Sequence, residues 1–295
     1  MACYRDIGIK ASAAAMHKKN NGTEAAGEDR ENGGSSLGRM LAVLDLFSER
    51  SPVWTVDGIA SGLGYTRATA YRYVGELHDA GLLTRVGRGA YALGPRIIEL
   101  DRQIRRCDPL LSVAEHVMPA LLRDDRGQVA LLCALFRDRV LCIHQAGHDR
   151  KLAVSYERGR PMPLFRGATS KAILAWLPER RLTRLFLEQQ AEIRRAGLGR
   201  DRAEFLASLK AIRRAGYAIT HADVDPGVVG VAVPLFVGER SVIGSLSVVF
   251  PQKRIPGRVE KVVADLKRAA QDFQQKLEEV ARTPDSGEPR PRKRR

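Results

Sequence analysis

From Leu37 onward, apolar residues recur at helical spacing: Met40, Leu41, Leu44 and Phe47 in "LGRMLAVLDLF" predict a first helix. After the loop "SPVW", Thr55 stands as an N-cap before Val56, Ile59, Ala60 and Leu63, a short second helix. Beyond the tight turn "GLGY", Thr66 caps a third helix in "TRATAYRYVGELHDAGLL", whose inner stripe is Ala70, Tyr73, Val74 and Leu77. Gly81 stops that helix, and "LLTRVGRGAYALG" reads as two short strands folded back over "GRG". Three helices and a two-stranded wing predict a winged helix-turn-helix over residues 37–98.

Residues 99–127 read as one or two linker helices with Pro109 at the joint. The texture changes after Gln128. "VALLCALFRDRVLCIHQAG" predicts two strands meeting near Arg137–Asp138, and "KLAVSY" a third. "ATSKAILAWLP" is a helix closed by Pro178, and helices follow in 179–190 and 201–215, the second stopped by Gly216. Strands return in "YAIT", "GVVGVAVPLF" and "SVIGSLSVVF", before a long amphipathic helix over 257–281 carrying Val259, Val262, Leu266, Phe273 and Leu277. The fold class is α+β, with a second domain over 128–281. Residues 1–36 are poor in large apolar groups and predict a flexible arm; 282–295 predict a disordered basic tail.

The length, 295 residues with 44% hydrophobic, suits two packed domains. A net charge of +15 and a pI near 10.1 favour polyanionic partners, although Arg-rich "PERRLTRLFLEQQAEIRRAGLGRDR" fits a solvated helix face equally well. The longest apolar run, "GVVGVAVPLFVG", is interrupted by Pro234, so no membrane span is predicted, and the N-terminus lacks the apolar core of a signal peptide. Cys3, Cys107, Cys133 and Cys142 have no C-x-x-C spacing, which fits a reducing cytoplasm.

The third helix carries polar groups that a wholly buried helix would not need. Thr66, Arg67, Thr69, Tyr71 and Arg72 lie near its start and outward, where a helix-turn-helix meets the major groove of double-stranded DNA. Arg85 and Arg88 sit on or beside the glycine-tipped hairpin, placed to lie along phosphates. Catalysis finds no support. "RGATSKA" lacks the spacing of a phosphate loop, Lys171 reads as structural, and there is no G-x-S-x-G elbow. His144 and His148 are split by a glycine. On one strand Cys142 and His144 share a side and offer a metal- or redox-sensing alternative, but two ligands make no recognisable metal site. No cofactor is called for. A further alternative is a DNA-binding regulator that senses nothing.

These segments resemble the IclR-type bacterial transcriptional regulators. The resemblance runs through "LGRMLAVLDLF" and "TRATAYRYVGELHDAGLLTRVGRGAYALG", then "ERGRPMPLFRGATSKAILAWLP", "AGYAITHADVDPGVVGVAVPLF" and "VIGSLSVVFP". It implies a homodimer or dimer of dimers, and a GAF-like C-terminal domain binding a small-molecule effector that resets the spacing of the DNA-binding domains. It places Met162, Ala168, Thr169, Thr220, Gly230 and Ser247 around the effector. The first turn of the "ATSKAILAW" helix would seat a carboxylate on unpaired N–H groups, with the hydroxyls of Thr169, Thr220 and Ser247 orienting it. This chain has Phe165 where the family commonly has His, Ser170 for Gly, Gly230 for Cys, and Val249 for a second Ser. Those changes imply an effector larger and less polar than a two-carbon acid.

Overall fold

The structure is a computed structural model that describes residues 35–122, 127–136, 139–147, 155, 157–238, 241–254 and 259–282. The predicted arm up to residue 34, the tail beyond 282, most of "KLAVSY" and the Arg137–Asp138 turn lie outside the described residues. The chain divides into two compact units between Asp108 and Pro109.

In the first unit, helix α1 (Ser36–Leu41) is capped by Ser35, whose Oγ accepts from the Gly38 N–H at 3.1 Å. The expected helix does not continue to Phe47. It tightens into a 3-10 turn over Ala42–Leu46, where the Leu46 carbonyl accepts from the Trp54 indole at 2.9 Å. The tightening turns the stripe: Val43 is fully buried and Leu41 faces out. Helix α2 (Val56–Leu63) and helix α3 (Arg67–Asp79) begin at the expected caps, Thr55 and Thr66. Ala70, Tyr73, Val74 and Leu77 of α3 are all buried, as expected. They pack with Val43, Val56, Ile59, Ala60 and Leu83 in one small core.

The wing strands are β2 (Leu83–Gly87) and β3 (Ala90–Leu93). A two-residue strand that the pattern did not predict, β1 (Trp54–Thr55), pairs with β3, giving the order β1-β3-β2. Helix α4 (Arg96–Cys107) follows, and α5 (Pro109–Val117) begins at the expected proline joint.

The second unit is built on a six-stranded antiparallel sheet ordered β6-β5-β4-β9-β8-β7. Its strands are β4 (Val129–Phe136), β5 (Arg139–Ala146), β6 (Pro161–Met162), β7 (Ala218–His221), β8 (Val228–Val237) and β9 (Ser241–Pro251). Period-two alternation sends the two sides of each strand into different cores. Ala130, Leu132, Val229, Val231, Val233, Leu246, Val248 and Phe250 meet α5 and the long helix α10 (Val259–Arg282). Leu131, Cys133, Val140 and Val249 face the opposite way, toward helix α6 (Ala168–Leu174), α7 (Glu179–Glu188), α8 (Gln190–Arg195) and α9 (Arg202–Ala215). Covered on both faces, the strands read as near-continuous apolar runs.

Helix α10 buries Val262, Leu266, Ala269, Ala270 and Phe273; each large side chain there is worth about 1.5–3 kcal/mol of burial. Helix α8 and strand β6 are additions to the predicted elements. Helix α8 is a separate turn because the chain bends at Gln189 and again at Gly197 and Gly199, both at positive φ.

Candidate functional site

Two sets of residues stand out, one in each unit. On α3 the Thr66 Oγ1 accepts from the Thr69 N–H at 3.2 Å and lies 2.9 Å from the Thr69 hydroxyl. Both threonines are therefore spent on starting the helix. Arg67 forms a two-pronged pair with Asp57 of α2, Nε to Oδ1 at 2.7 Å and Nη2 to Oδ2 at 2.8 Å. The Asp57 hydrogen bonds and charge push the Arg67 pKa further up. Both partners are exposed, so the pair ties the two helix starts together only weakly.

Tyr71 is 57% exposed, and the Arg72 guanidinium lies 5.4 Å from the Tyr73 ring centroid. Arg72 has no carboxylate partner among the described residues. On the wing, the Arg85 Nε donates to the Gly87 carbonyl at 3.2 Å, and Arg88 is exposed at the tip beside Gly89, whose φ is +67°. Every polar position singled out on α3 and the wing thus reaches the surface except Thr69, which is half-buried.

In the second unit, Ala168, Thr169, Thr220, Gly230 and Ser247 come together where α6 lies on the sheet. Small side chains permit the close approach: Ala168 and Ala172 pack on Ala218 and Ala232, and a Cβ on Gly230 would be 3.4 Å from the Ala168 Cβ. The Thr169 hydroxyl donates to the Ser247 Oγ at 3.1 Å, and the Ser245 hydroxyl to the Thr169 carbonyl at 3.1 Å. Met162 is buried on β6, at the opposite edge of the sheet from Thr220, and joins the core below α6. Phe165 is buried in the same core, edge-on to Phe205 at 6.4 Å.

The expected carboxylate seat is already filled. The Gly167 N–H donates to the Asp223 carboxylate at 2.8 Å and the Ala168 N–H to the Thr220 Oγ1 at 3.1 Å. Asp223 was not singled out from the sequence; its only signal is its place after "YAITH", more than fifty residues from the helix it caps. It also accepts from the Lys171 Nζ at 2.8 Å and from Arg166 through its own carbonyl. Lys171 additionally reaches the Ala196 carbonyl at 3.4 Å, in keeping with a structural role. Burial pulls the Asp223 carboxyl upward, but the Lys171 hydrogen bond, the Gly167 N–H and the charges of Lys171 and Arg166 outweigh it and hold it below the ordinary value. One carboxylate facing two cations leaves this half-buried cluster net positive.

Asp223→Asn is expected to lower effector-domain stability by about 1–2 kcal/mol at neutral pH, discounted for partial exposure. Because the folded pKa is depressed, Asp223 contributes fully above the unfolded value of about 3.9 and loses its contribution as pH falls through the folded value. Melting temperatures measured from pH 7 down into acid should therefore differ at neutral pH and converge for the two proteins as the pH falls below the folded value.

A second polar group missed as a contact is Ser170. Its Oγ is buried and has no hydrogen-bond partner among the described residues.

The expected partnership of Cys142 with His144 fails. A register shift in β5 pairs Cys142 with Cys133 but His144 with Leu132. Cys133 and Leu132 are neighbours on β4 and belong to opposite cores, so the bulge sends the two candidate ligands to different faces. Among the described residues no cluster of three or more His, Cys, Asp or Glu is placed to hold a metal ion.

A winged helix with an exposed basic face, joined in one chain to an α+β domain with a polar cradle, defines a DNA-binding regulator with an effector domain. Residues 36–87 match the family described as the IclR helix-turn-helix domain, and residues 105–275 match the bacterial transcriptional regulator IclR C-terminal family. The chain belongs to the IclR family of bacterial transcriptional regulators. It is 25% identical over 241 residues to the transcriptional regulator KipR of Bacillus subtilis, covering 79% of this chain and 94% of KipR. A solved IclR-type regulator from Alicyclobacillus acidocaldarius superposes with a TM-score of 0.67 at 25% identity, over 82% of this chain and 98% of that one. An IclR homologue from Microbacterium hydrocarbonoxydans, solved with 4-hydroxybenzoate, has a TM-score of 0.66 at 24% identity, covering 83% and 100%. Among the described residues no helix is long and apolar enough to cross a membrane.

Proposed function

We propose that α3 and the wing grip a double-stranded operator, and that a small carboxylate-containing metabolite bound beside α6 changes that grip. The observation that carries the DNA half is the division of α3 into a fully buried inner stripe and an outer face led by Tyr71 and Arg72. Arg72 and Tyr71 then contact bases or backbone, and Arg85 and Arg88 follow a phosphate strand. Arg67 exchanges its Asp57 partner for DNA, while Thr66 and Thr69 present the helix start. Arg72→Ala is expected to weaken specific binding about 10- to 100-fold, the equivalent of one good contact of about 1–3 kcal/mol, with effector affinity unchanged. Loss of effector binding in a folded Arg72→Ala protein would break this division of labour.

The buried, partnerless Ser170 hydroxyl and the net positive Arg166–Lys171–Asp223 cluster support an anionic effector. Such a ligand satisfies Ser170 and draws Thr169, Thr220 and Ser247 out of their bonds with one another or with the backbone. Phe165, in the segment leading into α6, supplies an apolar floor, which favours an aromatic or branched acid over a two-carbon one. A regulatory rather than catalytic role agrees with the naming of its relatives, and a cytoplasmic location with its free thiols.

The same reading has the protein act as a homodimer, or a dimer of such dimers. Helix α4 buries none of its residues, and Ile98, Leu100 and Ile104 are exposed. Ile97, Leu100, Ile104 and Cys107 follow a heptad seam, which a second copy of α4 would cover. Paired winged helices then call for a near-palindromic operator with half-sites about one helical turn apart or multiples of it.

The test has two arms on the full chain. Selection from a random duplex pool should enrich inverted repeats. A thermal-shift screen of aromatic, keto and hydroxy acids, with 4-hydroxybenzoate included, should stabilise the effector domain by about 2.7 kcal/mol at about 100 times Kd. A flat screen beside a successful selection would favour a regulator that senses no small molecule.

A further inference from the structure

Cys133 on β4 and Cys142 on β5 are direct cross-strand partners, and neither is exposed at all. Directly opposed residues of an antiparallel pair have Cα atoms about 4.5–5.5 Å apart, inside the roughly 4.4–6.8 Å window of a disulfide. Both side chains lie in the same buried core. The bulge at Ile143 gives β5 local freedom to bring the sulfurs together. Cys133 also pairs across β9 with Ser245, whose hydroxyl holds the Thr169 carbonyl of α6. The pair therefore lies one hydrogen bond away from the effector cradle.

We propose that Cys133 and Cys142 are a redox modification site, in which a peroxide converts the facing thiols into a reversible cross-strand disulfide beneath α6. The two thiols differ in their readiness. The Cys133 thiol and the His144 backbone, together with the nearby Arg158 charge, draw Cys142 toward its thiolate against the effect of burial, whereas Cys133 is pushed up and keeps its proton. The Cys142 thiolate attacks one peroxide oxygen and the O–O bond breaks. Cys142 becomes a sulfenic acid, and the other oxygen leaves as hydroxide and takes up a proton to form water. The Cys133 sulfur then attacks the Cys142 sulfur. An S–S bond forms, the S–O bond breaks, and the departing hydroxide takes the Cys133 proton to become a second water. Both sulfurs are oxidised and both peroxide oxygens are reduced.

Access comes from the edge of the sheet. Strand β6 pairs with β5 only at Val140 and Leu141; beyond it the edge is held by single hydrogen bonds, from the Gly159 N–H to the Cys142 carbonyl at 2.8 Å and from Arg158 to the Ile143 carbonyl. Small peroxide can enter through local opening there. Cys107, at the end of α4, faces no other cysteine of its own chain among the described residues.

The experiment treats the full-length protein with hydrogen peroxide under native conditions, then denatures it, alkylates the free thiols and digests it with trypsin. Arg137 and Arg139 separate the two cysteines, so trypsin releases them on different peptides unless a disulfide joins them. The expected result is loss of two of the four thiols, a joined Cys133–Cys142 peptide pair, and full recovery with dithiothreitol. Cys133→Ala, and separately Cys133→Ser, should leave Cys142 as a sulfenic acid trapped by a cyclic dione, with no joined peptide. Oxidation confined to Cys107, or a joined pair that appears only after unfolding in urea, would overturn the proposal.

Discussion

Gly94→Ala is expected to abolish operator binding while the effector domain stays folded. Gly94 is buried where the wing runs into the linker, and its N–H donates to the Leu82 carbonyl at 2.8 Å. A Cβ built there would lie 2.1 Å from the Gly81 carbonyl oxygen and 2.9 Å from the Leu83 carbonyl carbon. These are backbone atoms, which cannot swing aside as a side chain does. Relief requires β3 to lift from the turn after α3, which also carries the hydrogen bond from the Arg96 N–H to the Gly81 carbonyl. Among the described residues the DNA-binding unit has a core of nine buried apolar residues, so it has little stability to spare. Calorimetry should show the transition of the first unit lost and that of the second kept. A Gly94→Ala protein that binds its operator like the parent would show the close approach to be wrong.

Phe205→Ala is expected to cost the effector domain about 3–5 kcal/mol, a large share of an ordinary domain's stability. Phe205 is fully buried on α9, stacked on Phe186 at 5.9 Å and edge-on to Phe165 at 6.4 Å. Truncation leaves a void bounded by two rings on different elements, which cannot close on it together without shifting α7 or the segment leading into α6. The same void opens in the core shared with α6. Denaturant unfolding of the second unit should show a lower midpoint with an unchanged slope, and aromatic effectors should bind more weakly. A loss below about 1 kcal/mol would place Phe205 outside the core.

Local signals were the legible part of this chain. Thr55 and Thr66 cap helices as written, Gly216 ends α9 at positive φ, and Pro109 opens α5. The inner stripe of α3 followed from spacing alone, because a single amphipathic helix on a small core obeys its own period. What escaped depends on distant partners. The indole of Trp54 draws the Leu46 carbonyl and shortens the first helix. Asp223 occupies the helix start that looked open, and its contact with Gly167 spans 56 positions. One inserted residue in β5 moved His144 to the other face and gave Cys142 a different partner. Period-two counting assumes an unbroken strand and does not register such a bulge. The residues expected around an effector came from the family resemblance rather than from periodicity, and the structure gathers all of them except Met162 around α6.

In the proposed mechanism one ligand links the two domains. That link is tested most directly by measuring the Kd of the full-length protein for its selected operator by fluorescence anisotropy, with and without the acid that most stabilises the effector domain. A coupling of about 1–3 kcal/mol predicts a change of about 5- to 150-fold in operator affinity, and the reciprocal change in ligand affinity when operator is present. A ligand that raises the melting temperature of the effector domain yet leaves the operator Kd where it was would contradict the account.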